Sequence, residues 1–387
     1  MHQKARRKKM EKRSSRNQKG PILQFVRKFI RFFRNYRQWS NKTFIAVLLI
    51  AVAISMALTL LAEGLKGIPL ENSSATTVSQ SANYKEKNTV TEQETSARIM
   101  ANGDLLYHDI IYISAKKSDG TYDFHENFEY VKPWLKQADL VIGDFEGTVN
   151  KDHYLAGYPL FNAPGEVMDA IKDAGYQVLD LAHNHILDSQ IEGVVSTADA
   201  IEKAGMTPIG VYTHEPRDKA PIVIKEVNGI KVALLAYSYG FNGIEQSISQ
   251  EDYNRYLSDL DEDKMKAEIE RAEKEADITI IMPQMGVEYQ IEPTEEQKKL
   301  YHKMIDWGAD IIFGGHPHVV EPAETVEKDG DKKLIIYSMG NFISNQRIET
   351  MQDVENAKWT ERGVLMDVTI KKKSGKTTIE TAQAHPS

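Results

Sequence analysis

Carboxylates, imidazoles and carboxamides recur at one kind of place in this chain, directly after short apolar runs. "RIMAN" leads into Gly103-Asp104, "LVIG" into Asp144-Phe145-Glu146, and "VLDLA" into His183-Asn184-His185. "ITIIMP" is followed by Gln284 and then Glu288, "IIFGG" by His316-Pro317-His318, and "IIYSM" by Gly340-Asn341. Four of the 11 histidines fall in the two His-x-His pairs. In extended backbone, residues i and i+2 face the same way. Each pair is therefore expected to aim at one point or at two adjacent ions. Gly314 and Gly315 let the backbone approach that point without a Cβ in the way. The chain has no cysteine, so disulfides and thiolate ligands are excluded and any metal must be held by nitrogen and oxygen. Carboxylates, neutral imidazoles and an Asn carbonyl suit Mn, Zn or Fe, as one ion or as two about 3.5–4 Å apart.

Groups so far apart in sequence meet only if a rigid framework brings them together. From Ala97 onward, short apolar runs such as "ADLVIGD", "KVALLAYS" and "DITIIMP" alternate with amphipathic stretches. The stretches Gly165 to Ala174, Asp188 to Ala204, Asp261 to Ala276 and Thr294 to Trp307 read as helices. Thr294 with Gln297 fits a capping box, and Gly175 a helix C-terminus. Glu268 to Glu275 reads as a solvated helix face. This alternation predicts a layered α/β fold with buried strands. In such sheets ligands bind beyond the carboxyl ends of the strands, where the polar groups lie. Two hairpins are expected to close the chain, turning at Asp329-Gly330 and Ser374-Gly375. The sequence stops directly after a strand-like run, as it would if a short C-terminal piece were missing. His108, His125, His153, His214 and His302 have no partner at useful spacing and read as surface residues.

The remainder is organised by charge. The chain has 387 residues and a net charge of −8, but residues 1–42 hold 15 Lys or Arg and one acid. The rest carries a net −22. Next to the basic tail (1–43) stands "FIAVLLIAVAISMALTLLA", residues 44–62, with no charge, Pro or Gly. As a helix it would extend roughly 28 Å, enough for a hydrocarbon core of about 30 Å. The basic flank puts the N-terminus in the cytoplasm and the body outside, at the cell membrane. A cleaved signal peptide is the competing reading, but its apolar region would be shorter and no clean small-residue cleavage site follows. "ILQFVRKFIRFFRNYRQW" ahead of the span suits a helix on an anionic inner leaflet. That link to the membrane argues against a nucleic-acid role for the basic tail. Residues 63–96 are Ser/Thr-rich and read as a stalk, and 97–387 as the external domain.

The ordered segments "GDFEGTV", "LAHNHILD", "MGVEY", "GGHPHVVEP" and "YSMGNF" resemble the CapA (PgsA) family of poly-γ-glutamate capsule synthesis proteins, and more broadly calcineurin-like metallophosphoesterases. The resemblance spans about Arg98 to Phe342. It implies a four-layer α/β/β/α sandwich behind a single transmembrane helix, on the outer face of the membrane. It also implies that Asp104 and His318 hold one ion and Asn184 and His316 a second, with Glu146 or Asp144 bridging. His185 would act as general acid or contact a substrate oxygen. His183 and Asp144 complete the catalytic candidates, and Glu288 and Asn341 are the substrate-binding ones. Two departures stand out. The superfamily's Asp-x-His is Asp104-Leu105-Leu106 here, and the usual His-Trp-Gly is Gln284-Met285-Gly286, which offers an amide as ligand.

Three functions compete on these residues. One is a metal-dependent hydrolase, phosphoesterase-like, or a polymer-handling enzyme of capsule synthesis. Another is a non-catalytic accessory that binds an envelope polymer or the subunits of a capsule-synthesis complex. The third is a metal-independent remnant, suggested by Gln284.

Overall fold

The computed structural model describes residues 94–387. The basic tail, the apolar span 44–62 and the stalk up to residue 93 lie outside the described residues. Within them, no helix is long and apolar enough to cross a membrane.

The elements follow the predicted alternation. In chain order they are β1 (Glu94–Leu105), α1 (Asp109–Ser114), α2 (Lys132–Leu135), β2 (Leu140–Asp144), α3 (Val167–Ala174) and β3 (Val178–Asp180). Then come α4 (Gln190–Lys203), β4 (Thr207–Ile209), β5 (Val223–Val227), β6 (Ile230–Ser238), α5 (Gln250–Tyr256) and α6 (Glu262–Glu275). The chain continues through β7 (Ile278–Gln284), α7 (Glu295–Trp307), β8 (Ile311–Phe313), β9 (Ala323–Lys328), β10 (Asp331–Ile336) and β11 (Asn341–Ile343). It closes with β12 (Val364–Lys373) and β13 (Lys376–Pro386). The first strand begins at Glu94 rather than at Ala97. Thr294 and Gln297 form the reciprocal capping box of α7. Both expected hairpins are present, with Asp329-Gly330 and Ser374-Gly375 all at positive φ, as tight two-residue turns require.

One sheet has the order β13-β12-β1-β2-β3-β4, with β11 also pairing β1, and the other has the order β5-β6-β7-β8-β10-β9. Strands β1 to β4 run parallel, as do β6, β7, β8 and β10, and antiparallel strands flank each set. Alternation along each strand supplies two faces. Ile99, Ile142, Val232, Ile280 and Phe313 pack in one cluster between the sheets. Met100, Val141 and Leu179 face α3 and α4 on one outer side, and Leu235, Ile281 and Ile312 face α6 and α7 on the other. Helix, sheet, sheet, helix: the four-layer α/β/β/α sandwich is what the apolar pattern builds.

Two readings change. His108 is buried, not on the surface. Glu268 is not a solvated residue either, because it accepts from Nε of the buried Arg217 at 2.9 Å.

The antiparallel pair β1 and β12 is tied by Arg98, whose Nε and Nη2 donate to the Asp367 carboxylate at 2.9 and 2.6 Å. His385 Nε2 lies 3.0 Å from the same group. The Arg98 hydrogen bond holds the Asp367 carboxyl below its usual range, against a smaller burial effect. Asp367→Asn is expected to cost about 1–2 kcal/mol at pH 7, discounted because Arg98 is partly exposed. A depressed carboxyl stabilises above its unfolded value, so the gap between wild type and variant should close as pH falls below about 4. Urea unfolding at pH 7 and pH 3 checks both; a gap as large at pH 3 as at pH 7 would refute the assignment.

Candidate metal centre

The carboxyl ends of both parallel sets meet at one edge of the sandwich. Register aligns the first row: Asn341 of β11 pairs with Asp104 of β1, Asp104 with Asp144 of β2, and Asp144 with Asp180 of β3. Asn341 joins this row because β11 packs tightly against β1. A Cβ on Gly103 would lie 2.1 Å from the Gly340 carbonyl oxygen, so Gly103 admits the close approach. From the second sheet, the turn after β8 brings Gly315 under the row, where a Cβ would stand 3.0 Å from Asp144 Oδ2 and 3.5 Å from Asp104 Oδ1.

That turn carries the histidine pair, but not in extended backbone. His316 has φ 95° and His318 φ 58°, both in the left-handed region that non-glycine residues rarely adopt. Their rings converge through a strained turn, with centroids 6.1 Å apart, rather than by strand alternation. His183 and His185 also lie in a turn.

Asp104, Glu146 and His318 each place one ligand-type atom within 4.8 Å of the others, and all three are buried. His318 Nδ1 lies 2.8 Å from Asp104 Oδ2 and 3.9 Å from Glu146 Oε2. Asp104 Oδ1, Asp144 Oδ1, both Glu146 oxygens, Asn184 Oδ1, His316 Nδ1 and Asn341 Oδ1 are buried without hydrogen-bond partners. So many unpaired acceptors in one buried place would be costly unless a cation satisfies them. The donor set therefore fits a divalent metal ion.

The protonation pattern agrees. Burial, then the charges of Asp180 and Asp104, push the Asp144 carboxyl well up; burial, then Asp104 and Asp144, do the same to Glu146. Burial would lower the His318 imidazole, but its hydrogen bond to Asp104 and that charge raise it overall. His316 has no such partner, and burial, with His318 and His185 beside it, pushes it down to about 3. A neutral imidazole beside carboxylates that resist ionisation is a site waiting for positive charge.

The other candidates surround this group. His185 donates from Nδ1 to Asp188 Oδ2 at 2.7 Å, which leaves Nε2 for chemistry, and its ring meets Phe161 edge-on at 4.7 Å. His183 accepts the Gly147 N–H at Nε2, 3.3 Å away, and so braces the loop carrying Glu146. The Gln284 oxygen accepts from the Asn184 N–H at 2.7 Å and from Ser238 at 3.4 Å, tying one sheet's loop to the other sheet. Asn341 spends its amide N–H groups on Gln346 and Thr360, leaving its oxygen free. Glu288 is exposed at the rim. Leu106, where an imidazole was expected to be missing, is buried and apolar.

Three contributors escaped the sequence reading. Asp180 backs Asp144 and accepts the Ala182 N–H at 2.7 Å. The loop after β6 sets Tyr239 against His316, centroids 4.5 Å apart, and Asn242 against both Asn184 (3.1 Å) and His185 (3.4 Å). "KVALLAYS" was a recognised strand, so treating "YGFN" as one more strand end would have found this loop. His108 accepts the Asn345 N–H at Nδ1, 3.2 Å away, and like His185 it meets the Phe161 ring edge-on, with centroids 5.0 Å apart.

Residues 98–346 match the family model of bacterial capsule synthesis protein PGA_cap. The chain belongs to this family. Among PGA_cap relatives, the capsule biosynthesis protein CapA of Bacillus anthracis is 34% identical over 228 residues, covering 57% of this chain and 54% of that one. The PGA biosynthesis protein CapA of Bacillus subtilis (strain 168) is 31% identical over 223 residues, 57% of each chain. The chain thus spans little more than half the length of the curated relatives it matches. Among solved structures, the calcineurin-like phosphoesterase YfkN from Bacillus subtilis aligns with a TM-score of 0.44 at 16% identity, over 76% of this chain and 91% of that one. All the residues of the metal centre lie within the PGA_cap match.

Proposed function

We propose that this PGA_cap protein acts on the outer face of the cell membrane, anchored by residues 44–62, in the synthesis or export of an anionic capsule polymer such as poly-γ-glutamate. Capsule-synthesis subunits would be its partners. The observation that carries the reading is the buried Asp104, Glu146 and His318 group with its unpaired oxygens. Asp104, Glu146 and His318 would hold Mn, Zn or Fe, and Asn184 and His316 offer donors for a second ion. A bound ion supplies Lewis acidity toward a phosphoryl or acyl oxygen. His185, oriented by Asp188 through Nδ1, presents Nε2 to the place where a substrate or leaving-group oxygen would exchange a proton. Glu288 at the rim and the Asn341 oxygen are placed to contact substrate.

A second reading rests on Leu106 and Gln284, which put no imidazole where the superfamily has one. On that reading the protein binds metal but organises an envelope complex without turnover. The test uses the full chain in detergent, with metal content by mass spectrometry and hydrolysis of p-nitrophenyl mono- and diesters. The enzyme reading expects bound metal and turnover that His185→Ala lowers about 100-fold or more. Metal without turnover supports the accessory reading, and absence of metal sinks both.

A further inference from the structure

Each histidine of the metal turn has a tyrosine ring beside it, Tyr239 at His316 and Tyr289 at His318, the latter pair with centroids 6.0 Å apart. Tyr289 is held there by its backbone. Its φ of 65° lies in the left-handed region, where a non-glycine residue stays only if its surroundings enforce it. The Tyr289 N–H donates at 2.8 Å to the carbonyl of Pro317, which stands between the two histidines. Its own carbonyl accepts from Asn356 Nδ2 at 3.0 Å. The ring is half-buried and belongs to none of the three hydrophobic clusters, so core packing does not account for its placement.

Hydrogen bonding decides where the Tyr289 hydroxyl sends its proton. The Thr360 carbonyl can only accept, so the Asn341 amide must turn Nδ2 toward it, at 3.0 Å. The second Nδ2 hydrogen goes to Gln346, 2.9 Å away, which must therefore offer Oε1 there. Gln346 is left with Nε2 facing the Tyr289 hydroxyl at 3.3 Å. An amide N–H only donates, so the Tyr289 oxygen accepts and its own proton is left for another partner. Thr360 Oγ1 also donates to the Gln346 carbonyl at 2.7 Å, which fixes the middle of this relay. Burial, then the neighbouring Glu288 and Glu146, push the Tyr289 phenol above its usual range, so it keeps the proton it has to give.

The relay thus ends in two groups of opposite kind beside the metal centre. One is the Asn341 oxygen, an unpaired acceptor that suits a cation. The other is the Tyr289 O–H, a donor, which suits an oxygen that the cation also attracts. We propose that Tyr289 contacts substrate, its hydroxyl donating to an anionic oxygen of a metal-bound ligand, and that Gln346 is the positioning residue that sets the direction of this bond. The proposal rests on the reading of the metal centre given above. A phosphoryl and a carboxylate oxygen offer the same acceptor, so the experiment has an arm for each.

Inorganic phosphate and acetate are titrated calorimetrically into the Mn-loaded full chain in detergent. The anion that saturates identifies the class, and its affinity should fall about ten-fold in Tyr289→Phe. Metal content and melting temperature should match wild type in that variant, because the ring stays beside His318; a merely structural role would move them instead. Gln346→Met should weaken the anion about three-fold in the wild-type background and less than about two-fold in the Tyr289→Phe background, as coupled residues do. Three results would overturn the proposal: saturation by neither anion up to about 10 mM, affinity in Tyr289→Phe within about two-fold of wild type, or losses that multiply in the double variant. A loss of metal that accompanies the loss of anion would overturn it as well, by making Tyr289 a support for His318. Absence of metal from the wild type would sink the metal centre and the proposal together, whereas normal metal with unaltered anion affinity sinks the proposal alone.

Discussion

His316→Ala combined with His318→Ala is expected to strip the protein of its divalent metal while leaving the sandwich folded. His318 is one of the three residues whose ligand atoms cluster within 4.8 Å, and the unpaired Nδ1 of His316 stands beside it. Removing two imidazoles leaves carboxylates alone, and the affinity should fall by about 100-fold or more. Both side chains lie on one turn at the edge of the sheets, so the interlayer core is untouched. Alanine keeps a Cβ, so both positive-φ positions stay strained and the turn gains no stability from the change. Metal content after dialysis and far-UV circular dichroism give the answer. Wild-type metal content in the double variant would show that the ion, if any, sits elsewhere.

The second large effect is a pH-dependent stabilisation by metal. Burial raises the carboxyls of Asp144, Glu146 and Asp180, neighbouring acids add to this for Asp144 and Glu146, and Asp104 raises His318 against the effect of burial. A group whose folded value lies above its unfolded value stabilises the fold below the unfolded value and loses that contribution as pH rises through the folded one. For the carboxyls the loss begins above about pH 4, and for His318 above about 6.5. The chelated protein should therefore weaken with rising pH, while an ion replaces the displaced protons and removes the penalty. His316 and His108, pushed down to about 3 and about 4, stay neutral in both forms across this range and cancel in the comparison. The melting temperature with Mn or Zn minus that with chelator should thus grow between about pH 5 and pH 8, reaching about 5 °C or more. A difference that shrank with pH would contradict the assignment of these carboxyls.

Much of this centre could be read from the chain because strand ends announce themselves. Each buried strand is a short apolar run, and the first polar residues after it must emerge at the carboxyl edge. Asp104, Glu146 and His318 were found that way. Geometry set by turns was not legible. Nothing in "GGHPH" distinguishes an extended pair from two left-handed histidines, because non-glycine residues take positive φ only where the surrounding packing enforces it. His108 was missed for a related reason: its neighbours Phe161, His185 and Asn345 are remote in sequence, so no spacing rule connects them. Glu268 reads as one more charge on a polar helix until the buried Arg217 is seen beneath it.

The three clustered ligand atoms belong to different halves of the sandwich: Asp104 and Glu146 follow strands of one sheet, and His318 follows a strand of the other. A cation held there would act as a rivet through the seam, and its grip would depend on how tightly the layers are stacked. A slide of one layer along the other would dismantle the pocket while every strand kept its partners. Neither half carries the chemistry by itself, so a fragment containing a single sheet, however well folded, would have no affinity to lose.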